Sequence, residues 1–124
     1  MTDWREFCAG ERDIIVDGAG MTVEFSNGRK QRIDAHRADG VIGFRGIVAR
    51  RAVTEQIERV ALVAWERNRA SSLVGFRVDE RGRLVGECWV PIPGLTREEF
   101  LFYLRSAAAA CDLFEYQLTG KDRE

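Results

Sequence analysis

The chain has 124 residues, with 19 basic and 20 acidic side chains and a formal net charge of −1. This length fits a single domain over residues 1–124, which can bury a core without disulfides or metals. The balanced charge argues against a protein that is drawn to nucleic acid or to an anionic membrane by its overall field.

Cysteine usage and the first residues indicate the compartment. The three cysteines, Cys8, Cys88 and Cys111, form no C-x-x-C pair, and the first segment is charged almost at once. An odd number of thiols without a secretory signal is typical of a reducing compartment. No apolar run approaches the length of a membrane span. The sequence therefore predicts a soluble cytoplasmic protein, bacterial in character.

The chain is predicted to begin with a short helix and a short strand. Asp3 can cap a helix that carries Trp4, Phe7 and Cys8 on one face. The stretch RDIIVDGAG at 12–20 favours a short strand that is closed by glycines. These two elements precede the main sheet pattern.

A three-stranded meander is predicted next. Residues 21–25 alternate apolar and polar side chains and lead to Asn27-Gly28, a pair that suits a two-residue turn. The return strand covers 29–36, and a second turn at Asp39-Gly40 leads into a third strand over 41–49.

Residues 53–70 change to a helical period. Thr54 is the predicted N-cap, with Glu55 in the first turn. The residues predicted to share the buried face are Ile57, Val60, Ala61 and Ala64. Trp65 lies at the edge of that face, and Leu62 lies among charged residues. The position of Leu62 is unusual for a helix of a strict monomer.

A second hairpin and a long helix complete the predicted domain. Strands over 73–78 and 84–92 flank a turn at Gly82, and Pro93-Gly94 stops the second strand. Thr96 and Glu99 have the spacing of a capping box at the start of the helix. Residues 121–124 are predicted to form a solvated tail. The pattern predicts an α+β domain, with an antiparallel sheet and helices packed on one face.

The last helix has two apolar faces. The stripe predicted to face the core contains Phe100, Leu104, Ala107, Cys111, Phe114 and Leu118. A second apolar column, roughly opposite, contains Phe102, Ala109 and Leu113, with Tyr116 beside it. Another part of the chain, a second subunit or a client protein could cover this column. The predicted partner- or dimer-binding residues are Leu62, Trp65, Phe102 and Leu113.

Catalytic and metal-binding patterns are weak. His36, the single histidine, alternates with charged residues and is predicted to be a solvated strand residue, since a metal site needs several convergent ligands. The three cysteines fall on apolar faces, where a thiol behaves as a small hydrophobe. The glycines form no phosphate-binding motif. We therefore predict no catalytic, metal-binding or cofactor-binding residues and no cofactor.

The sequence leaves two alternatives to protein binding. A basic strand could bind RNA, and its residues are Arg29, Lys30, Arg32 and Arg37, with Arg45, Arg50 and Arg51. Acidic residues are scattered among these cations, which favours a solvated sheet surface, so neither nucleic acid nor membrane is predicted as a partner. The second alternative is a small-ligand-binding domain or enzyme, with a pocket between sheet and helices near Cys88 and Trp89.

The segment 66–118 resembles the YbjN-like proteins and, more distantly, the class I type III secretion chaperones. The residues that carry this resemblance are Asn68, Phe76, Asp79 with Gly82, Pro91, Leu95-Thr96 with Glu98-Glu99, and Asp112 with Phe114. The preceding meander fits the same order, so the resemblance covers most of 21–118.

The resemblance implies an α-β-β-β-α-β-β-α domain that is often dimeric, binds protein segments and has no catalytic residues. In the secretion chaperones the client wraps the dimer as an extended chain over apolar patches. We therefore expect a non-enzymatic, cytosolic protein-binding or chaperone-like module, a homodimer whose partner is a protein client or a second copy of itself.

Overall fold

A computed structural model describes residues 3–70 and 73–119 of the chain. Its elements are α1 (Trp4–Phe7), β1 (Ile14–Asp17), β2 (Gly20–Glu24), β3 (Lys30–Ala38), β4 (Val41–Ala49), α2 (Arg51–Thr54), α3 (Val60–Ala70), β5 (Gly75–Val78), β6 (Leu84–Pro91) and α4 (Arg97–Thr119). The predicted tail at 121–124 lies outside the described residues.

Six antiparallel strands form one sheet in the order β1-β2-β3-β4-β6-β5, with the helices on one side. The predicted fold class is confirmed. The short strand suggested by residues 12–20 is formed as β1 and pairs with β2. The sheet therefore has six strands, one more than the five in the element order that the family resemblance implied.

The turns of the sheet differ in one respect from the prediction. Between β2 and β3 the amide of Phe25 donates to the carbonyl of Arg29 at 2.8 Å, which leaves three residues in the loop. Only Gly28 has a positive φ, 89°, so Asn27-Gly28 is not a two-residue turn. In this three-residue loop Asn27 does not need the left-handed conformation that a two-residue type I′ turn would require. Asp39 and Gly40, with φ of 28° and 81°, form the predicted second turn.

The predicted helix over 53–70 is interrupted. Arg59 has a φ of 56°, and this left-handed residue separates α2 from α3. Thr54 is the last residue of α2 and not an N-cap, since its hydroxyl donates to the carbonyl of Arg50 at 3.1 Å. The break also changes the buried face of α3. Ala64 is buried as predicted, but Ala61 is exposed and Val63 is half-buried.

Helix α4 lies across the sheet and supplies the centre of the core. Its capping box is formed, because the Glu99 carboxylate and the Thr96 hydroxyl each accept a hydrogen bond of 3.1 Å from the backbone amide of the other residue. Phe100 is fully buried and packs against the rings of Phe7 and Phe44, at centroid distances of 5.1 and 5.2 Å. The predicted inner stripe is buried as far as Phe114, and Leu118 is half-buried.

Candidate protein-binding surface

An apolar column remains on the side of α4 that faces away from the sheet. We call this face the outer ridge; it contains the apolar residues Phe102, Ala109, Leu113 and Tyr116 and the small, half-buried Ser106. The spacing is 4-3-4-3, which keeps all five residues on one helical face. Phe102 is 58% exposed, Leu113 49% and Tyr116 44%. Residues 3–70 and 73–119 therefore do not cover this column. Of the three possible covers, another part of the chain is not realised within these residues.

Helix α3 exposes two further large apolar side chains. Leu62 is 42% exposed and Trp65 is 55% exposed, while Ala64 faces the core at 3%. The guanidinium of Arg69 lies 5.3 Å from the centroid of the Trp65 ring, a cation–π contact that holds the ring on the surface. The four residues predicted to bind a partner therefore all lie on the surface of the described chain.

Helices α3 and α4 are neighbours, and α3 is held by two polar side chains. Arg67 of α3 stacks over the Phe114 ring at 5.0 Å and donates to the side chain of Gln117, both on α4. Asn68 donates to the carbonyl of Phe76 at 2.9 Å and accepts from the amide of the same residue at 2.6 Å. The two exposed helical surfaces are thus carried by elements with fixed positions.

Four charged residues are fixed beside the N-terminal half of the outer ridge. Arg105 donates to both carboxylate oxygens of Asp13, at 2.8 and 2.9 Å, and to Glu11 at 2.6 Å. Arg97 joins the cluster through Glu11. The hydrogen bond to Asp13 raises the pKa of Arg105 and lowers the pKa of Asp13. The cluster borders a shallow cavity of about 650 Å³ that Phe102 also lines.

A second ion pair lies beside the C-terminal half of the ridge. Arg29 donates to the Asp112 carboxylate at 3.1 Å, and the two side chains are only 13% and 16% exposed. The guanidinium of Arg29 also lies 4.9 Å from the centroid of the Tyr116 ring. Residue spacing does not indicate this pair, because its members are 83 residues apart in the chain.

The face of the sheet opposite the helices carries Trp89. Its ring lies directly over Gly43, where an added Cβ would approach the ring to 2.5 Å. Trp89 is 52% exposed and borders a cavity of about 350 Å³ that His36 also lines. Cys88, the preceding residue of β6, is 5% exposed and faces the core. Because adjacent strand residues point to opposite faces, these two do not line one pocket between sheet and helices.

The three cysteines are buried and hold protonated thiols at neutral pH. Burial raises the pKa of Cys8 to about 11 and that of Cys111 to about 12. Burial also raises the pKa of Cys88. Because the thiolate is the nucleophilic form, this environment disfavours nucleophilic chemistry at these cysteines.

Most cations of the predicted basic strand have acidic partners. Five of its seven residues pair with carboxylates: Arg29 with Asp112, Lys30 with Glu24, Arg32 with Asp34, Arg45 with Glu87, and Arg51 with Glu55. Within the described ranges no three His, Cys, Asp or Glu side chains converge as a metal site. No helix of residues 3–70 and 73–119 is both long and apolar enough to cross a membrane.

Comparisons with known proteins identify the fold and not a sequence family. No family model and no curated protein sequence matches the chain. YbjN from E. coli has a TM-score of 0.68 and 16% identity, over 94% of this chain and 88% of that one. The structure of the ExsC–ExsE complex has a TM-score of 0.62 and 17% identity, over 91% and 88%. The chain therefore has the YbjN-like, type III secretion chaperone-like fold that the sequence resemblance implied.

Proposed function

We propose that this protein is a non-enzymatic, chaperone-like module of the cytoplasm that binds a protein client and works as a homodimer. The observation that carries this proposal is the set of exposed large apolar residues on the helical layer: Leu62 and Trp65 on α3, and Phe102 and Leu113 on α4. The inner sides of these helices already pack in the core. The exposed residues therefore contribute little to folding and are available to a partner.

The chemistry of these residues fits protein recognition. Aromatic residues beside arginines are typical of the energetically dominant positions of protein interfaces. Trp65 is held under Arg69 and Tyr116 beside Arg29, so two rings are fixed before a partner arrives. The fold likeness to the ExsC–ExsE complex supports a partner that is a protein. A client with apolar anchors, bound over α3, is the partner that fits best.

The experiment is a binding measurement with matched variants. Tagged protein is used to capture candidate clients, and a captured client is purified and titrated by calorimetry against the wild type. We expect Leu62→Asp/Trp65→Asp to weaken binding at least about 30-fold, because the loss of a dominant interface residue costs about 2 kcal/mol or more.

The control is Ile15→Asp on β1, since Ile15 is 51% exposed but lies on the other edge of the molecule. This variant should bind like the wild type, and binding should show a negative heat-capacity change from apolar burial. Equal affinity of the α3 double variant and the wild type would contradict the proposed surface.

A further inference from the structure

We propose that the outer ridge of α4 is the contact between two copies of this chain, and that the two α4 helices run antiparallel there. Phe102 of each copy then packs against Leu113 of the partner subunit. This inference deepens the homodimer of the proposed function and rests on it. The α3 surface around Leu62 and Trp65 is left for the client.

The first argument is the order of side-chain sizes along the ridge. Two small residues, Ser106 and Ala109, lie between two large exposed ones, Phe102 and Leu113. Two helices that cross at an angle are closest at the crossing point and diverge on either side of it. Small residues at the centre permit close approach, and large residues at both ends fill the widening gap. The ridge therefore has the shape of one half of a symmetric helix crossing.

A contact between two identical copies must be self-complementary about its twofold axis. When the axis lies midway between Ser106 and Ala109, an antiparallel partner places each of these residues opposite the other. The same operation places Phe102 opposite Leu113 of the partner subunit. The four ridge positions from Phe102 to Leu113 then each have an apolar or small counterpart, while Tyr116 lies beyond the paired segment.

The charges along one edge of the ridge also favour the antiparallel arrangement. Glu98, Arg105 and Asp112 follow this edge at seven-residue spacing. With 1.5 Å of rise per residue, the twofold brings Arg105 to about 3 Å, measured along the axis, from Asp112 of the partner subunit. The Arg105 side chain is still 39% exposed and can reach across.

A parallel pair would not bring these charges together. In that arrangement the edge with Arg105 and Asp112 would face the opposite edge of the partner helix, which carries Tyr103, Ala110 and Gln117. The charge order therefore distinguishes a second copy in antiparallel orientation from a parallel one. It also favours a second copy over an unrelated client, whose charges would have no reason to repeat this order in reverse.

The first experiment measures the mass of the full-length protein in solution by light scattering after size exclusion. We expect a wild-type dimer, and a monomer for Phe102→Asp and for Leu113→Asp, with the dissociation constant raised at least about 30-fold. Ile15→Asp should remain dimeric. Circular dichroism and thermal melting of each variant verify that it is folded.

The second experiment tests the orientation by disulfide cross-linking. Phe102→Cys protein is mixed with Leu113→Cys protein under mild oxidation. The antiparallel contact predicts a mixed disulfide between the two variants, and neither variant should cross-link efficiently with itself. The natural cysteines are buried and do not compete.

The outcomes separate the two proposals. Efficient self-linking of Phe102→Cys would indicate a parallel pair and overturn the orientation. A wild-type dimer that survives both aspartate variants would overturn the α4 contact and leave the homodimer standing. A monomeric wild type at high concentration would overturn the homodimer and this contact together, while client binding at α3 would still be tested separately.

Discussion

At the residue scale, two glycines determine how closely α4 can approach the sheet. Gly46 of β4 and Gly86 of β6 are register partners, and both lie beneath the sulfur of Cys111. A Cβ at Gly46 would be 2.9 Å from this sulfur, and one at Gly86 would be 2.6 Å from it. Glycine is needed here for space and not for a positive φ, because neither residue has a left-handed backbone.

The close approach leads to a prediction for Gly86→Ala. The new methyl group would lie 2.6 Å from the Cys111 sulfur and 2.8 Å from the Phe76 ring, and both groups are buried. We expect the free energy of unfolding to fall by about 2 kcal/mol or more, as is usual when a packed core is overfilled. Urea unfolding followed by tryptophan fluorescence measures the change.

Gly75→Ala is the matched control for this substitution. Gly75 also lies in a strand, the neighbouring edge strand β5, but an added Cβ there has no atom within 4 Å. Its substitution should change stability by less than about 0.5 kcal/mol, the usual range for surface positions. Similar losses of stability in Gly86→Ala and Gly75→Ala would show that crowding around Cys111 does not explain the effect of Gly86→Ala.

At the element scale, Asn68 protects the free edge of the sheet. Strand β5 is the last strand on one side, and Phe76 directs its amide and carbonyl away from β6 toward α3. The Asn68 side chain hydrogen-bonds both groups. Helix α3 thus satisfies this part of the edge strand in place of a further strand. The same bonds fix the end of α3, and hence the exposed Trp65, relative to the sheet.

The prediction concerns Asn68→Ala. Without the carboxamide, the Phe76 amide and carbonyl lose their partners, and we expect a loss of about 1–3 kcal/mol in stability. Hydrogen exchange of the Phe76 amide should accelerate more than that of amides in the centre of β4. Asn27→Ala, in the β2–β3 loop, is a suitable comparison, since Asn27 accepts a single local bond from the Arg29 amide. Unchanged exchange at Phe76 would contradict the role of Asn68.

Most elements, but not all, could be predicted from the sequence, and the difference has a physical cause. Strand alternation, the capping box and the inner stripe of α4 are local patterns with a period of their own. The break at Arg59 has no such signal, because its positive φ occurs at a residue other than glycine or asparagine. The pairs Arg105–Asp13 and Arg29–Asp112 join residues 92 and 83 positions apart, a separation that residue spacing does not reveal.

For the candidate site, the sequence indicated that α4 is apolar on two faces, but not what covers the second. The answer depended on where α3 lies relative to α4, which is decided by packing and not by either helix alone. The position of Arg67, which reaches Phe114 and Gln117, shows that α3 lies beside α4 and does not cover the outer ridge.

At the scale of the whole molecule, paired carboxylates join elements that are distant along the chain. Glu87 of β6 accepts hydrogen bonds of 2.9 Å from Arg77 of β5 and from Arg45 of β4. These two hydrogen bonds connect β4, β6 and β5 on the face of the sheet that carries no helices. The hydrogen bond from Arg77 makes the largest contribution to lowering the pKa of Glu87, and it outweighs the opposing effect of burial. Asp13 and Asp79 also have lowered pKa values.

The lowered carboxylate pKa values predict how the free energy of unfolding decreases at acidic pH, which we call the acid limb. A carboxylate whose pKa is lower in the folded than in the unfolded state contributes its full stabilisation above the unfolded pKa, about 4.3 for Glu. This contribution is lost as the pH falls through the folded pKa, because the unfolded chain binds protons first. We therefore expect nearly constant stability between about pH 7 and 5 and a steep loss below about pH 4.5.

Glu87→Gln separates one carboxylate from the rest of this acid limb. The variant should be less stable than the wild type at pH 7, because two arginines lose a charged partner whose side chain is only 14% exposed. Its acid limb should be shallower, so the two stabilities converge as the pH falls through the lowered pKa of the wild-type Glu87 carboxylate. Glu55→Gln removes an ion pair whose side chains are 71% and 62% exposed, and solvent screening should leave its curve close to the wild type. Parallel acid limbs for Glu87→Gln and wild type, measured as urea midpoints from pH 3 to 7, would show that the lowered pKa of Glu87 does not couple to folding.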